Sequence, residues 1–140
     1  MKKRVFLPLI AILLTGLLSA ACTAQATPVY AEGAEQDQAV AAVDPFAQDI
    51  LDGIAKNDFA LFGKDFDATM AKAMTQSQFD KIVKMFAPYG AFKNRDLTNV
   101  EIVDQYYRVN YKVTYENKIV LVSIVISKTG TAAVAGLWFK

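Results

Sequence analysis

The residues that could carry out chemistry in this chain are carboxylates and tyrosines, because the sequence contains no histidine. The lack of histidine excludes Ser-His and Cys-His nucleophile pairs, an imidazole general base, and histidine-bound zinc or iron. An aspartate base with a tyrosine oxyanion donor can still abstract a proton without histidine. The candidate for this chemistry is Asp104 with Tyr106 or Tyr107. The favoured alternative is that Asp104 is a solvated carboxylate at the end of a strand, beside tyrosines of the core.

Two patterns that would bind a metal ion or a nucleotide are incomplete in this sequence. Asp65, Asp67 and Thr69 are spaced as in the first half of a calcium loop. That loop needs a glycine at its sixth position and a glutamate at its twelfth, where this chain has Met70 and Gln76. The seven glycines are scattered, and none follows a strand as in a phosphate-binding loop. We therefore predict no metal and no cofactor, and we assign Asp65 to a helix cap.

Cys22 is the one cysteine, and it follows the pattern of an export signal. Three basic residues at 2–4 precede an apolar run over 5–18, and small residues follow at 19–21. Such a run is typical of a signal peptide and is shorter than the ~20 residues of a membrane-spanning helix. The pattern resembles a bacterial lipobox, in which the cysteine thiol receives a diacylglyceryl group and the chain is cut before it. We predict a signal peptide over 1–21 and a lipid anchor on Cys22, on the outer side of the cytoplasmic membrane.

Plain secretion is the alternative to lipid anchoring. A signal peptidase would then cut after Ala21, or after Ala26 at the end of the small-x-small triplet 24–26. Cleavage after Ala26 would remove Cys22 from the mature protein. No disulfide can form within the chain in any of these cases, because a single cysteine has no partner. The folded part must therefore be held together by its apolar core.

The composition limits the number of domains and the kinds of partner. The chain has 15 basic and 14 acidic residues, and removal of residues 1–21 leaves 12 basic residues against 14 acidic ones. This balance does not supply the basic patch that nucleic-acid binding requires, so we predict no nucleic-acid partner. The 140 residues are 54% hydrophobic, which is sufficient for one domain with one core.

The elements that position the tyrosines begin after a predicted flexible tether over residues 22–43. This stretch is rich in alanine, glutamine and acidic residues and shows no sustained apolar period. We predict a single α+β domain over 44–140, which starts with a helix that has Asp44 as its N-cap and Pro45 in its first turn. The apolar face of this helix is formed by Phe46, Ile50, Leu51 and Ile54.

Three shorter helices follow in the predicted domain. The first begins at Phe59 and ends at Gly63, and Asp65 is the predicted cap of the second. The third starts with a capping box, in which the side chains of Thr75 and Gln78 bond reciprocally to the backbone. The buried stripes of the second and third are Phe66, Met70, Ala73 and Met74, and Phe79, Ile82, Val83 and Phe86.

From residue 91 the apolar period changes from 3.6 to 2, which predicts strands. The predicted strands are 97–103, 106–115, 119–126 and 134–139. Tyr107, Tyr111 and Tyr115 share one face of the second strand. The third strand is apolar on both faces and is expected to be central. Helices followed by an antiparallel meander predict an α+β fold, with N-terminal helices packed on a sheet of about four strands.

The chain also resembles a known family in several places. The residues that carry the resemblance are Phe59, Phe62, Asp65, Phe66, Asp67, Met70, the cap over 75–79, the strand over 107–115 and the C-terminal motif Val134, Ala135, Gly136, Leu137, Trp138, Phe139. They resemble a domain of unknown function of exported bacterial and archaeal proteins and lipoproteins, sometimes found ahead of an α/β-hydrolase domain. The resemblance covers about residues 44–140. It implies a nuclear transport factor 2-like (cystatin-like) cone, in which a curved sheet wraps around helices, and it implies no catalytic residues.

The leading hypothesis for function is a non-catalytic binding module that uses the concave face of the sheet. Tyr107, Tyr111, Tyr115 and Trp138 are the candidate ligand-binding residues, because their amphipathic rings would contact a hydrophobic ligand at the mouth of the cone. The alternative for this stripe is that it belongs to the core. The expected partners are the membrane, through Cys22, and a small hydrophobic ligand, an envelope component or another exported protein. Two further hypotheses are an isomerase or hydrolase-like enzyme with a carboxylate in the cone pocket, and a homodimer formed through the open sheet face.

Overall fold

The computed structural model describes residues 27–140, so the predicted signal peptide over 1–21 and the predicted lipid anchor on Cys22 lie outside the described residues. The elements are, in chain order, β1 (Val29–Tyr30), α1 (Gly33–Lys56), α2 (Phe59–Phe62), α3 (Ala68–Ala73), α4 (Gln76–Phe86), a 3-10 helix (Ala87–Tyr89), β2 (Phe92–Val103), β3 (Tyr106–Tyr115), β4 (Ile119–Ser127) and β5 (Val134–Phe139). None of the helices in this part of the chain is both long and apolar enough to span a membrane.

The first helix is longer than the sequence predicts. It begins at Gly33, so its predicted start at Asp44 is wrong, and residues 33–43 of the predicted tether belong to it. The alanines of this stretch favour a helix, and Ala39 and Val43 are buried in the core. Pro45 lies inside the helix and cannot donate a backbone hydrogen bond, which costs the helix one internal bond. Burial of the apolar face outweighs that loss.

The caps of α3 and α4 confirm one prediction and correct another. The carboxylate of Asp67 accepts the backbone N–H of Met70 at 2.7 Å, so Asp67 caps α3, and the predicted cap at Asp65 is wrong. A cap side chain must lie two or three residues before the N–H that it binds, and Asp65 is too far away. The capping box of α4 is confirmed. The Thr75 hydroxyl accepts the N–H of Gln78, and the Gln78 side chain accepts the N–H of Thr75.

The sheet is curved and antiparallel, with the strand order β1-β2-β3-β4-β5. It has five strands and not about four, because β1 precedes the helices and pairs with the end of β2. The strands β3 and β5 have the predicted bounds. The strand β2 begins at Phe92 and not at Leu97, and bulges between Phe92 and Asn94 and between Leu97 and Asn99 interrupt its alternation. A bulge adds a residue to one strand and hides the period of 2 from the sequence pattern.

The helices cover one face of the sheet, and the core lies between the two layers. The strand β4 lies between β3 and β5, which confirms its central position. Its inner residues, such as Val122 and Ile124, are buried, whereas Leu121 on the outer face is 49% exposed. Within the core, Gly53 of α1 lets α2 approach closely. A Cβ atom on Gly53 would lie 2.6 Å from the backbone nitrogen of Phe62.

Candidate functional site

The three candidate tyrosines of β3 all face the helices, and two of them bind α1. The Tyr107 hydroxyl donates a hydrogen bond to a carboxylate oxygen of Glu35 at 2.8 Å. The Tyr111 hydroxyl donates one to Oδ1 of Asp44, also at 2.8 Å. Both carboxylates belong to α1. These hydroxyls therefore hold the first helix against the sheet, while Tyr115 has a different environment.

Tyr111 is part of a polar cluster that reaches from the core to the surface, because its ring is buried while the Asp44 side chain is 48% exposed. Its side chain is 2% exposed, and the guanidinium of Arg95 lies 4.9 Å from the centre of its ring. Nη2 of Arg95 is 3.2 Å from Oδ1 of Asp44, and Nη1 is buried without a partner among residues 27–140. Burial and then the hydrogen bond to Asp44 raise the pKa of Tyr111. Tyr111 thus serves the packing of α1 on the sheet.

The fourth candidate, Trp138, lies on the opposite face of the sheet from the tyrosines. It pairs with Ser123 in β4, whose neighbours in sequence point into the core. The indole packs on Gly136, where a Cβ atom would lie 2.5 Å from the ring, and it is 47% exposed. The guanidinium of Arg108 lies 5.9 Å from the ring centre. The three tyrosines therefore share one face of the sheet, spaced along β3, and Trp138 lies on the other face.

A cleft of about 440 Å³ opens at the end of the sheet where β3 ends. Its lining residues are Gln48, Leu51, Asp52, Ile54, Ala55, Asn57, Val83, Phe86, Ala87, Gly90, Ala91, Phe92 and Tyr115. They come from the last turns of α1, the end of α4, the segment that joins α4 to β2, the start of β2 and the end of β3. A volume of this size falls within the range of small-molecule sites, about 300–1,000 Å³.

The turn at Gly90 forms one wall of the cleft. Its φ angle is +79°, a conformation that glycine adopts without steric cost. A Cβ atom at this position would also lie 2.6 Å from a carboxylate oxygen of Glu116. That carboxylate accepts the N–H of Ala91 at 3.1 Å and is 3.2 Å from the Lys93 ammonium. Glycine therefore lets the chain pass from the 3-10 helix into β2 close to the end of β3.

Three aromatic rings meet in a corner of this cleft. The rings of Phe86 and Tyr115 are 5.6 Å apart at an angle of 73°, and those of Phe92 and Tyr115 are 6.1 Å apart at 80°. Phe92 is 45% exposed. The Tyr115 hydroxyl makes no hydrogen bond within residues 27–140, and burial raises the pKa of Tyr115 to about 12. The corner combines apolar surface with one free hydroxyl.

The charged group of the cleft is the Asp52 carboxylate. It accepts a hydrogen bond from the Gln48 amide at 2.9 Å and forms an ion pair with the Lys56 ammonium at 3.1 Å. The side chain of Lys56 is 62% exposed and does not line the cleft. No lysine or arginine is among the described residues that line it.

The aspartate that the sequence singles out for an enzyme, Asp104, lies outside the cleft. Asp104 is exposed in the turn between β2 and β3, with φ +52°, and Tyr106 and Tyr107 point to opposite faces of the sheet. Burial and then the neighbouring Asp49 raise the pKa of Asp65, but Asp65 does not line the 440 Å³ cleft. Within residues 27–140, no group of three or more carboxylate, cysteine or histidine side chains could hold a metal ion.

Sequence reasoning found one residue of this cleft, Tyr115, and missed the others. The sequence pattern places Phe86 in the core, and Phe92 lies outside the predicted strand 97–103. A usable signal was present, since aromatic residues recur at 86, 89 and 92 around the helix stop at Pro88 and Gly90. Aromatic residues on both sides of a helix end lie at the edge of the helix layer. The other helices cover less of their apolar surface there.

The fold and the cleft define a class, namely an α+β domain with helices on one face of an antiparallel sheet and an apolar cleft at one end. The chain belongs to the family described as "Protein of unknown function (DUF3887)", which matches residues 47–136. No curated protein and no solved structure matches the chain.

Proposed function

We propose that this protein is a non-catalytic binding module that takes a small apolar ligand into the cleft beside Tyr115. The observation that carries the proposal is the aromatic corner of Phe86, Phe92 and Tyr115 in a cleft of about 440 Å³. Residues of α1 and α4 pack against the sheet face that carries Tyr107, Tyr111 and Tyr115, where the sequence predicts the ligand. The cleft beside Tyr115 lies on the same face of the sheet, at the end that these helices leave open.

The proposal includes the cellular location of the protein. We infer that the chain is exported and attached to the outer side of the cytoplasmic membrane by a lipid on Cys22, with plain secretion as the alternative. The leader over 1–21 and the small residues before Cys22 support this inference. Labelled palmitate is expected to enter the wild type and not the Cys22→Ala variant. Equal incorporation into both chains would contradict it.

We further infer that the fold is a cone of the nuclear transport factor 2-like kind. The order of elements, with helices before an antiparallel meander, and the curvature of the sheet support this relation. In such a cone a ligand enters at an open end of the sheet. The position of the cleft, where β3 ends and the last turns of α1 and α4 meet, fits that entry.

Binding of an uncharged fluorescent dye tests the site. The full chain with Cys22→Ala is used, so that no attached acyl chain competes for the cleft. Nile red is expected to bind and to gain fluorescence. Ala55 is exposed and lines the cleft, so Ala55→Phe should fill part of it and weaken binding at least several-fold. Ala41→Phe is the matched control, because Ala41 is an exposed alanine of the same helix that does not line the cleft.

Two results would contradict the proposal. If Ala55→Phe bound the dye as tightly as wild type and Ala41→Phe, the cleft would not be the binding site. If no apolar probe bound the wild type at all, the binding module itself would lose its basis. The fluorescence of Trp138 should remain unchanged on binding, because this ring lies on the opposite face of the sheet.

A further inference from the structure

The one charged side chain among the described residues that line the cleft is negative, and this indicates the charge of the ligand. This inference rests on the proposed function and specifies it. We propose that the ligand carries an alkylated ammonium group, held in the aromatic corner of Phe86, Phe92 and Tyr115 beside the Asp52 carboxylate. The ligand is a small organic cation with an apolar body. Three features of the described residues support this assignment independently.

The first feature is the carboxylate. Asp52 is the one charged side chain among the residues that line the cleft, and the cations near it lie outside the lining. An anionic amphiphile such as a fatty acid would therefore meet a like charge without a compensating lysine or arginine. A cation would meet an opposite charge. Charge complementarity thus favours a positively charged ligand.

The second feature is the C-terminus of α1. The last turn of α1 contributes Ile54 and Ala55 to the lining, and the end of α4 contributes Val83 and Phe86. A helix C-terminus carries a partial negative charge from carbonyls without donors, and it attracts cations. At α1, the cap N–H of Asn57 binds carbonyls of the preceding turn, and the carbonyls of residues 55 and 56 accept no backbone N–H within 27–140. The C-terminus of α1 therefore adds negative potential to the carboxylate.

The third feature is the aromatic corner. Phe86 and Phe92 both stand nearly perpendicular to Tyr115, at 73° and 80°. Phe86 is 5% exposed, so Phe92 and Tyr115 offer most of the ring surface that a ligand can reach, and the faces of aromatic rings attract cations. Alkylated ammonium groups are bound in such aromatic surroundings because their surface is apolar while their charge is positive. An uncharged apolar ligand would gain from the rings but not from the carboxylate.

Lys56 is the internal competitor for this cation. Its ammonium is 3.1 Å from Asp52, and its side chain is 62% exposed, so the pair is weak and can open. Removal of the Lys56 charge should free Asp52 for the ligand. Removal of the Asp52 charge should have the opposite effect. The two variants give predictions of opposite sign for one ligand.

The test compares three ligands with the same chain length, namely hexyltrimethylammonium, 1-hexanol and hexanoate. Binding to the full chain with Cys22→Ala is followed by NMR through the amide shifts of Gly90 and Ala91, which line the cleft. Hexyltrimethylammonium is expected to bind about threefold or more tightly than 1-hexanol, and hexanoate is expected to bind weakest. Asp52→Asn should weaken ammonium binding about threefold and leave 1-hexanol unchanged. Lys56→Gln should strengthen ammonium binding.

The controls separate charge from structure. Asp80 on α4 accepts a hydrogen bond from Gln76 four residues earlier in sequence, as Asp52 does from Gln48, but it lies outside the cleft. Asp80→Asn should therefore leave all three affinities unchanged. Phe92→Leu keeps apolar bulk and removes a ring, so it should weaken ammonium binding more than 1-hexanol binding.

The outcomes distinguish this inference from the proposed function. If Nile red binds in the cleft but 1-hexanol or hexanoate equals the ammonium, the charge assignment is overturned and the apolar site stands. If Asp52→Asn and Asp80→Asn have equal effects on ammonium binding, the assignment is also overturned. If neither Nile red nor any of the three ligands binds, the proposed function falls with it.

Discussion

The contact of Asp44 with Tyr111 and Arg95 should contribute a measurable share of the free energy of unfolding. It joins the middle of α1 to the two strands β2 and β3. The perturbation is Asp44→Ala, combined with Tyr111→Phe in a double-mutant cycle. Tyr111→Phe keeps the buried ring and removes the hydroxyl alone.

The magnitudes follow from burial and distance. A hydrogen bond to a charged group contributes about 1.5–3 kcal/mol. The Asp44 side chain is 48% exposed, so water replaces part of the lost contact, and Tyr111→Phe should cost about 1.5 kcal/mol. Asp44→Ala also leaves the Arg95 side chain, which is 16% exposed, without its carboxylate. Loss of one partner of a buried pair costs about 3–5 kcal/mol, and the exposure of Asp44 reduces our expectation to about 2–3 kcal/mol.

The assay is urea denaturation followed by circular dichroism, on the full chain with Cys22→Ala. The coupling energy of the cycle should be about 1 kcal/mol or more, because both substitutions remove the same hydrogen bond. Asp80→Ala is the control, since Asp80 is an exposed carboxylate on α4, and it should change stability by less than about 0.5 kcal/mol. If Asp44→Ala cost no more than this control, or if the cycle showed no coupling, the cluster would not hold α1 on the sheet.

Three further predictions concern single residues. Gly53→Ala should destabilise the protein by about 1–2 kcal/mol in urea denaturation, because overpacking against the Phe62 backbone outweighs the helix preference of alanine. Burial raises the pKa of Tyr115 from 10.0 to about 12, so stability is intact below pH 10 and falls as the pH rises towards 12. In the Tyr115→Phe variant the melting temperature should fall less than in wild type as the pH rises from 10 towards 12. An equal fall in both proteins would contradict this prediction. Burial and then Asp49 raise the pKa of Asp65, so its ionisation weakens the folded state as the pH rises through that pKa. Asp65→Asn should therefore raise the melting temperature at pH 7 more than at pH 3, and a larger rise at pH 3 would refute it.

Much of the fold could be predicted where one local rule decided the structure. The capping box at Thr75 and Gln78 requires a helix start at that position, and the alternation of residues 106–115 requires a strand with one buried face. The beginning of α1 could not be predicted in this way. Asp44 and Pro45 form a favourable helix start, and they also tolerate a position inside a helix when its apolar face is buried. Tertiary packing decided between the two.

The candidate site was less predictable because it depends on register. Trp138 and the tyrosines of β3 all lie in strands, but which face Trp138 takes depends on how β5 pairs with β4. A shift by one residue moves a side chain to the other face of a sheet. The start of β2 was hidden by its two bulges, and with it the place of Phe92 in the cleft. Register and bulges are properties of a pair of strands, so the sequence of a single strand does not reveal them.

The position of the cleft follows from the different rises of a helix and a strand. Tyr107 binds Glu35 and Tyr111 binds Asp44, so four residues of β3 run beside nine residues of α1. At about 3.3 Å per strand residue and about 1.5 Å per helix residue, both steps cover about 13 Å. A second step of the same length takes the strand to Tyr115 and the helix to its last turn, where α1 ends at Lys56. No carboxylate of the described helix binds the Tyr115 hydroxyl there, and the helix no longer covers the sheet. The length of α1 thus determines where the packed layer ends and the cleft begins.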